Sequence, residues 1–291
     1  MTTAGFSRRA ALCLSTALLA GRAGAAARLR IVAAENMYGD LASQIGDGFV
    51  SVRSILNNPN QDPHLFAASP SVAIALAGAD IVIVNGADYD PWMAGLLAAE
   101  PARGRTVITV AELLGRKPGD NPHLWYDPQT APLLGRRLAQ MLGTRDPAHA
   151  ADYARNADAL LASLKPIAAR IAALRAEFAG TPVTATEPVY GLMAAALGLT
   201  MRNSAFQTAV MNGTEPAPAE VAAFENDLRQ RRVRILFYNS QVTDDLTRGL
   251  LALARQSGIP VVGVTETEPA GLDYQAWMNA GLGAVEKALH A

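Results

Sequence analysis

Cysteine is almost absent from this chain of 291 residues, since Cys13 is the only one. A disulfide within the chain is therefore excluded, and so is a site built on several thiolates. Cys13 lies in an apolar run near the N-terminus, so a metal bound elsewhere must be held by histidine, aspartate or glutamate. A long apolar segment is lacking as well. The run Ala10–Ala20 is about half of the roughly 20 residues that a membrane-spanning helix needs.

A strong charge of either sign is also lacking. The chain has 25 lysine and arginine residues against 26 aspartate and glutamate residues. Binding to a nucleic acid or to an anionic membrane would need a basic surface, so neither is expected as a partner. The sequence contains no H-E-x-x-H and no G-x-S-x-G, which removes the motifs of common zinc proteases and serine hydrolases.

The N-terminus has the order of features that is typical of a secretory signal peptide. Arg8 and Arg9 form a basic segment, Ala10–Ala20 an apolar segment, and small residues fill positions 23–27. This order predicts a cleaved signal peptide and a mature protein in the periplasm. Ser7-Arg8-Arg9 is compatible with a twin-arginine signal, and an ordinary Sec signal stays open. Cleavage would leave 22 basic against 26 acidic residues, a net charge of about −4.

Strand-like and helix-like patterns alternate along the rest of the chain, which predicts an α/β fold with parallel sheets. Residues 148–178 differ, because their apolar side chains recur at three- and four-residue steps. They predict a helix about 45 Å long, which Pro166 would kink. We expect this helix to be a rigid link between two Rossmann-like lobes, although a surface helix of one larger domain is the alternative. The expected segments are a signal peptide (1–26), an N-terminal lobe (27–146), a linking helix (147–180) and a C-terminal lobe (181–291).

Two histidines lie in loops of the same form. His64 and His123 each follow a proline and precede a leucine. Proline fixes its own φ near −65° and restricts its neighbour, so each imidazole is placed with little freedom. The His64 loop follows a strand predicted to end at Ile55, at the carboxyl edge where open α/β sheets bind ligands. A structural role is the ordinary alternative for a single histidine, but two in matching loops favour a shared metal.

Three glutamates follow strands predicted in the second half of the chain. Glu187 comes directly after the strand at 182–186, and Glu266 and Glu268 closely follow the strand at 260–264. Without cysteine, carboxylates are the donors expected to complete a site that begins with two histidines. The alternative is that these acids cap helices or face solvent. If they are ligands, side chains from two lobes would close a cleft around one ion.

These motifs resemble the metal-receptor family of ABC-type solute-binding proteins, those for zinc and manganese. The resemblance rests on Gln61-Asp62-Pro63-His64, on the strand at 79–86, and on Asn121-Pro122-His123-Leu124-Trp125 with the residues that follow. It implies two α/β lobes, one rigid connecting helix, and a single metal held in the cleft by four side chains. His64 and His123 carry over as the first two ligands and Glu187 as the third.

The fourth ligand of that family is usually an aspartate, and here the sequence departs from the pattern. After the strand at 260–264, no aspartate appears until Asp273. The register of the resemblance places Glu268 on the fourth position. Glu266 lies two residues away and is the rival fourth ligand.

The resemblance implies a periplasmic substrate-binding protein that captures one divalent transition metal, Zn²⁺ or Mn²⁺, for an inner-membrane ABC permease. We expect a monomer without enzymatic activity. Two carboxylates favour manganese, whereas imidazole suits zinc, and the Irving–Williams order makes zinc the tighter binder in vitro. The alternative is a periplasmic metal-dependent hydrolase, because Glu266 beside Glu268 could supply a general base. A receptor for an organic ligand would need more aromatic and arginine lining.

Overall fold

A computed structural model of the chain describes residues 1–2, 28–58, 63, 66–242 and 244–291. Within them lie two four-stranded sheets, and all the paired strands are parallel. Residues 3–26 of the predicted signal peptide and His64 lie outside the described residues. No helix in the described part of the chain is both long enough and apolar enough to cross a membrane.

The N-terminal lobe alternates strands with helices, as predicted. Its strands are β1 (Leu29–Glu35), β2 (Val50–Leu56), β3 (Ile81–Val84) and β4 (Thr106–Thr109). Its helices are α1 (Asn36–Gly46), α2 (Pro70–Ala77), α3 (Pro91–Ala99), α4 (Val110–Leu113) and α5 (Thr130–Arg145). The strand order is β2-β1-β3-β4. The chain leaves β1 on one side and returns to β3 on the other, and open sheets bind ligands at the carboxyl ends of such a switch point.

The C-terminal lobe repeats this topology. Its strands are β5 (Pro182–Ala185), β6 (Thr200–Met201), β7 (Leu236–Asn239) and β8 (Val261–Val264). Apart from the linking helix α6 (Ala150–Phe178), the helices that follow are α7 (Gly191–Ala196), α8 (Ser204–Met211), α9 (Pro218–Arg229), α10 (Asp245–Gln256) and α11 (Tyr274–His290). The strand order is β6-β5-β7-β8, so the switch point lies between β5 and β7.

The helix α6 joins the two lobes and runs without interruption through Pro166. It packs on α1 and α5 of the first lobe and on α11 of the second. The approach to α5 is close, because a Cβ added at Gly135 would lie 2.6 Å from the side chain of Leu160. One buried apolar cluster contains Leu41, Leu160 and Leu282 and therefore spans both lobes and the helix. Since protein interiors are densely packed, this shared core restricts how far the lobes can move apart.

Four elements of the structure, α4, α5, β6 and α8, are absent from the sequence-based prediction. The α5 segment contains Pro132, Gly135 and Gly143, which are poor residues for a helix, and it is stabilised by packing on α6. The two-residue strand β6 is too short to give an alternating pattern. The helix α8 begins after Asn203, whose φ of 59° lies in the left-handed region. These elements depend on tertiary contacts more than on local sequence.

Candidate metal site between the lobes

The candidate site lies where the switch points of the two sheets face each other. Glu187 lies two residues after the end of β5, and Asn239 is the last residue of β7. Asn85 follows β3, and its side-chain amide donates to the carbonyl of Pro122, next to His123, at 2.9 Å. The parallel strands thus bring side chains from distant parts of the sequence to one edge of each sheet.

His123 is wholly buried and is held in one orientation. Its Nδ1 lies 2.8 Å from Oδ1 of Asn121, which also accepts a hydrogen bond from the His123 backbone N–H at 3.0 Å. Because the Asn121 oxygen can only accept, Nδ1 carries a proton, and in the neutral ring the lone pair is on Nε2. Nε2 is buried and has no hydrogen-bond partner among the described residues. A ring oriented in this way is typical of a metal-binding histidine.

Aromatic rings surround the imidazole of His123. The rings of Trp125 and Tyr89 meet it edge-on, with centroids at 5.4 and 6.0 Å. Trp125 is wholly buried and Tyr89 nearly so. Such walls exclude water and strengthen the electrostatic interactions inside the cleft.

Glu266 is the carboxylate that faces His123. Its Oε2 lies 3.4 Å from Nε2 of His123 and accepts a hydrogen bond from the Tyr89 hydroxyl at 3.1 Å. Its Oε1 accepts a hydrogen bond from the Asn239 amide at 2.7 Å. The residue is wholly buried. Tyr89 and His123 belong to the N-terminal lobe, so Glu266 contacts both lobes at once.

Glu187 is connected to Glu266 through Asn239. The Asn239 side-chain nitrogen donates to Oε2 of Glu187 at 2.5 Å and to Oε1 of Glu266 at 2.7 Å. Glu187 is also buried, at 2% exposure. Two neighbouring carboxylates repel each other when both are ionised, and a neutral amide offsets only part of that repulsion. A cation between them would remove the rest.

Glu268 lies in the same loop but in different surroundings. Its backbone N–H donates to Oδ1 of Asn36 at 2.9 Å, and its carbonyl accepts from Nδ2 of Asn36 at 2.7 Å. Burial, and then the charges of the nearby acids Asp40 and Asp273, raise the pKa of the Glu268 carboxyl to about 8. The neighbours of this carboxyl are therefore acids rather than the His123 ring.

The structure brings His123, Glu187 and Glu266 to one buried region and gives Glu268 other neighbours. His64 lies outside the described residues. Among the residues that the structure describes, no three histidine, cysteine, aspartate or glutamate side chains form a group that could hold a metal ion by themselves. Any complete site therefore needs a further donor, such as His64, or a closer approach of these three side chains.

Sequence reasoning did not single out Tyr89, Asn121 or Glu35. Glu35 ends β1, is wholly buried, and has no hydrogen-bond partner for either carboxylate oxygen among the described residues. Burial, and then the charge of Asp90, hold its pKa well above the ordinary value. The signal that could have found Glu35 is its position at a strand end, after a run of apolar residues.

Three residues of the second lobe are candidates for orienting the ligands, namely Asn203, Tyr190 and Asn239. Asn239 contacts both Glu187 and Glu266. Asn203 instead donates to Thr184 and Asp227. Tyr190 packs between the rings of Tyr126 and Phe237. Of these three residues, Asn239 is therefore the one in direct contact with candidate ligands.

Comparison with known proteins gives a family match over most of the chain. The family model described as ZnuA, zinc-uptake complex component A, periplasmic, matches residues 31–288. The iron-binding protein YfeA of Yersinia pestis is 24% identical over 245 residues, which cover 79% of this chain and 76% of that protein. The manganese ABC transporter substrate-binding lipoprotein PsaA of Streptococcus anginosus is 22% identical over 290 residues, which cover 90% of this chain and 89% of that protein.

Solved structures share the fold. The periplasmic zinc-binding protein TroA of Treponema pallidum has a TM-score of 0.75 at 18% identity, covering 90% of this chain and 99% of that chain. A manganese-bound mutant of the periplasmic metal-binding protein of Candidatus Liberibacter asiaticus has a TM-score of 0.73 at 18% identity, covering 90% and 100%. The prediction of two α/β lobes with parallel sheets and a long connecting helix is confirmed.

Proposed function

The chain belongs to the ZnuA family of periplasmic zinc-uptake components, and on that premise we propose that it captures one divalent transition metal between its lobes for an ABC importer. The ion is the transported cargo, and no chemical step is required of the protein. The relatives named above are described as binding zinc, manganese or iron. None of them is named as a hydrolase, so the hydrolase alternative has no support from these relatives.

We propose His64, His123, Glu187 and Glu266 as the four ligands. The observation that carries the proposal is the buried Nε2 of His123, which has no hydrogen-bond partner among the described residues and lies 3.4 Å from Glu266. A lone pair and a carboxylate oxygen that face each other in a water-poor cleft gain most from a shared cation. Glu266 is preferred over Glu268 because only Glu266 lies beside His123 and shares an amide with Glu187.

Two nitrogen and two carboxylate donors suit Zn²⁺ or Mn²⁺, and we propose this class of metal without choosing between them. A harder, oxygen-containing set is compatible with manganese, whereas zinc binds such a set more tightly in vitro. Capture requires a neutral imidazole and ionised carboxylates, so affinity should fall as the pH drops through the range in which histidine is protonated.

The capture mechanism follows from the division of ligands between the lobes. His123 is supplied by the first lobe, and Glu187 and Glu266 by the second. An ion that is bound by both lobes favours the closed arrangement, because an open cleft cannot offer all donors at once. The helix α6 and the shared core restrict closure to a small movement. The permease would then recognise the closed surface and separate the donors.

Export through a signal peptide over residues 1–26, by the Sec or the twin-arginine route, and a monomeric state are part of the same proposal. The proposed export is consistent with the sequence of the N-terminus and with the periplasmic family. The protein would then meet its cargo in the periplasm.

The test is metal titration of the purified mature chain with Zn²⁺, Mn²⁺ and Fe²⁺, with bound metal counted by elemental analysis. We expect one ion per chain with a dissociation constant below about 1 μM, which corresponds to roughly −8 kcal/mol. His123→Ala should weaken binding by about 100-fold or more, because it removes a ligand. His149→Ala is the matched control, since His149 lies outside the site and pairs with Asp146. The proposal fails if the wild-type chain binds none of the three ions at this strength.

A further inference from the structure

One face of helix α1 carries three polar residues that point at the second lobe. Asn36, Asp40 and Gln44 are four residues apart, so they lie one above another on the same side of the helix. Each is partly buried, whereas Met37, Leu41 and the other apolar residues of α1 are buried in the core. These three residues are called the α1 polar stripe below.

The first residue of the stripe holds the loop between β8 and α11 by its backbone. The Asn36 side chain donates from Nδ2 to the carbonyl of Glu268 at 2.7 Å and accepts at Oδ1 from the N–H of Glu268 at 2.9 Å. The amide side chain of Asn36 thus pairs with both the backbone N–H and the backbone C=O of Glu268. A neighbouring strand pairs with a residue in the same way. Since only backbone atoms of the loop take part, this contact does not depend on the Glu268 side chain.

The rest of the stripe contacts the start of α11, which directly follows that loop. Oδ2 of Asp40 accepts from the backbone N–H of Tyr274 at 3.0 Å. Gln44 and Gln275 exchange side-chain hydrogen bonds at 2.9 and 2.8 Å. The loop and the start of α11 therefore belong to the second lobe, but the first lobe binds their polar atoms at several points.

We infer that Asn36 is a positioning residue for the metal site, because it fixes the loop that places Glu266 opposite His123. The inference rests on the function proposed above. Glu266 lies only two residues before the peptide that Asn36 holds. Extended backbone spans about 3.3–3.6 Å per residue, so a shift of the held peptide is transmitted to Glu266 with little slack.

This contact has a consequence for release of the ion. While Asn36 keeps its bonds, Glu268 is held to the first lobe, whereas the backbone N–H of Glu266 donates to Gln241 of the second lobe at 2.5 Å. Separation of the lobes then pulls on the short segment between these two contacts. If the bonds to Asn36 break, Glu266 leaves with its own lobe. This step separates the donors, and the strength of the Asn36 contact sets how readily it happens. Weakening it should speed release without removing any ligand.

The experiment measures the rate of zinc release into an excess of chelator, together with zinc affinity and the melting temperature, for Asn36→Ala and Asn36→Ser. Loss of two hydrogen bonds should speed release by about tenfold, with a matching loss of affinity. Gln44→Ala is the matched control, because it alters the far end of the stripe and should change release by less than about threefold. Asn36→Ser tests the same contact with a residue that is tolerated at helix starts.

A double-mutant cycle with Glu266→Gln separates positioning from general stability. If Asn36 acts through Glu266, then Asn36→Ala should add little to the loss caused by Glu266→Gln. Fully additive losses, or a release rate unchanged in both Asn36 variants, would overturn the inference while leaving the proposed function intact. Absence of metal binding in the wild-type chain would instead overturn the proposed function, and this inference with it.

Discussion

The two halves of the candidate site are built in different ways. The half from the N-terminal lobe centres on one imidazole ring, His123, which is oriented by Asn121 and enclosed by Tyr89 and Trp125. The half from the C-terminal lobe consists of two acids, Glu187 and Glu266, which share the amide of one asparagine. The first half is an imidazole enclosed by aromatic rings, whereas the second is a pair of acids joined by one neutral amide.

The difference explains why neither half would bind a metal well alone. A single imidazole offers one neutral donor and little attraction for a cation. Two neighbouring buried carboxylates attract a cation strongly, but their mutual repulsion is costly until the cation arrives. Because the two halves are complementary, closure of the lobes and binding of the ion stabilise each other.

The largest expected effect comes from removing charge in the acidic half. Glu266→Gln keeps the size of the side chain but loses its negative charge, so metal affinity should fall by about 100-fold, or roughly 3 kcal/mol. Glu268→Gln is the matched control two residues away, and it should change affinity by no more than about threefold, because Glu268 faces Asp40 and Asp273. Isothermal titration with Zn²⁺ and Mn²⁺ measures both.

The opposite behaviour of the two variants would contradict the choice of Glu266 as the fourth ligand. A large loss in Glu268→Gln with little change in Glu266→Gln would make Glu268 the fourth ligand. The loop would then have to rearrange when the ion binds.

A smaller effect is expected from the asparagines that support each half. Asn121→Ala removes the partner of the His123 Nδ1, and Asn239→Ala removes the amide between Glu187 and Glu266. Each should lower metal affinity by about 10- to 100-fold, as is usual for residues that orient ligands. In the metal-free protein, Asn239→Ala should also lower the melting temperature more than Asn121→Ala does, because it leaves two buried carboxylates without their shared donor. Equal melting temperatures for the two variants would contradict the difference drawn between the halves.

The smallest effect concerns the pH dependence of the metal-free protein. The pKa of Glu268 is about 8 in the folded state, against an ordinary value of 4.5. Between these values the folded state binds a proton that the unfolded state has lost, so the free energy of unfolding falls as the pH rises through this window and levels off above it. Glu268→Gln removes this contribution. The variant should gain melting temperature relative to wild type between pH 5 and pH 8.5, by about 2–4 °C for each kcal/mol.

Differential scanning calorimetry of both proteins across this pH range is the measurement. Parallel curves for wild type and variant would show that the carboxyl of Glu268 titrates at its ordinary pKa in the folded state.

Much of the fold follows from the sequence, and the reasons differ between elements. The strands at 29–34 and 81–84 are mostly apolar because helices cover both faces of a parallel sheet, and both are found. The linking helix is predicted because its apolar residues recur over eight turns, and it is found over Ala150–Phe178. The short elements β6 and α8 lack enough residues to show a period, and α5 contains residues that disfavour a helix.

The candidate site is only partly determined by the sequence. Proline before His123 and the strand end before Glu187 are local signals that point to buried donors, and the structure buries both residues at the cleft. The choice between Glu266 and Glu268 has no such signal, because an irregular loop has no period that says which side chain faces inward. Only the contacts with Asn36, Tyr89 and Asn239 distinguish the two.

The sequence alone is enough to predict the alternation of strands and helices, the long helix between two lobes, and the types of metal-ligating side chain available. These three features depend on local pattern and composition. The tertiary structure decided which acid faces His123, which amide joins the two carboxylates, and how the first lobe holds the loop of the second. Those features arise from contacts between residues as many as 234 positions apart, and no local pattern in a single sequence encodes a contact of that kind.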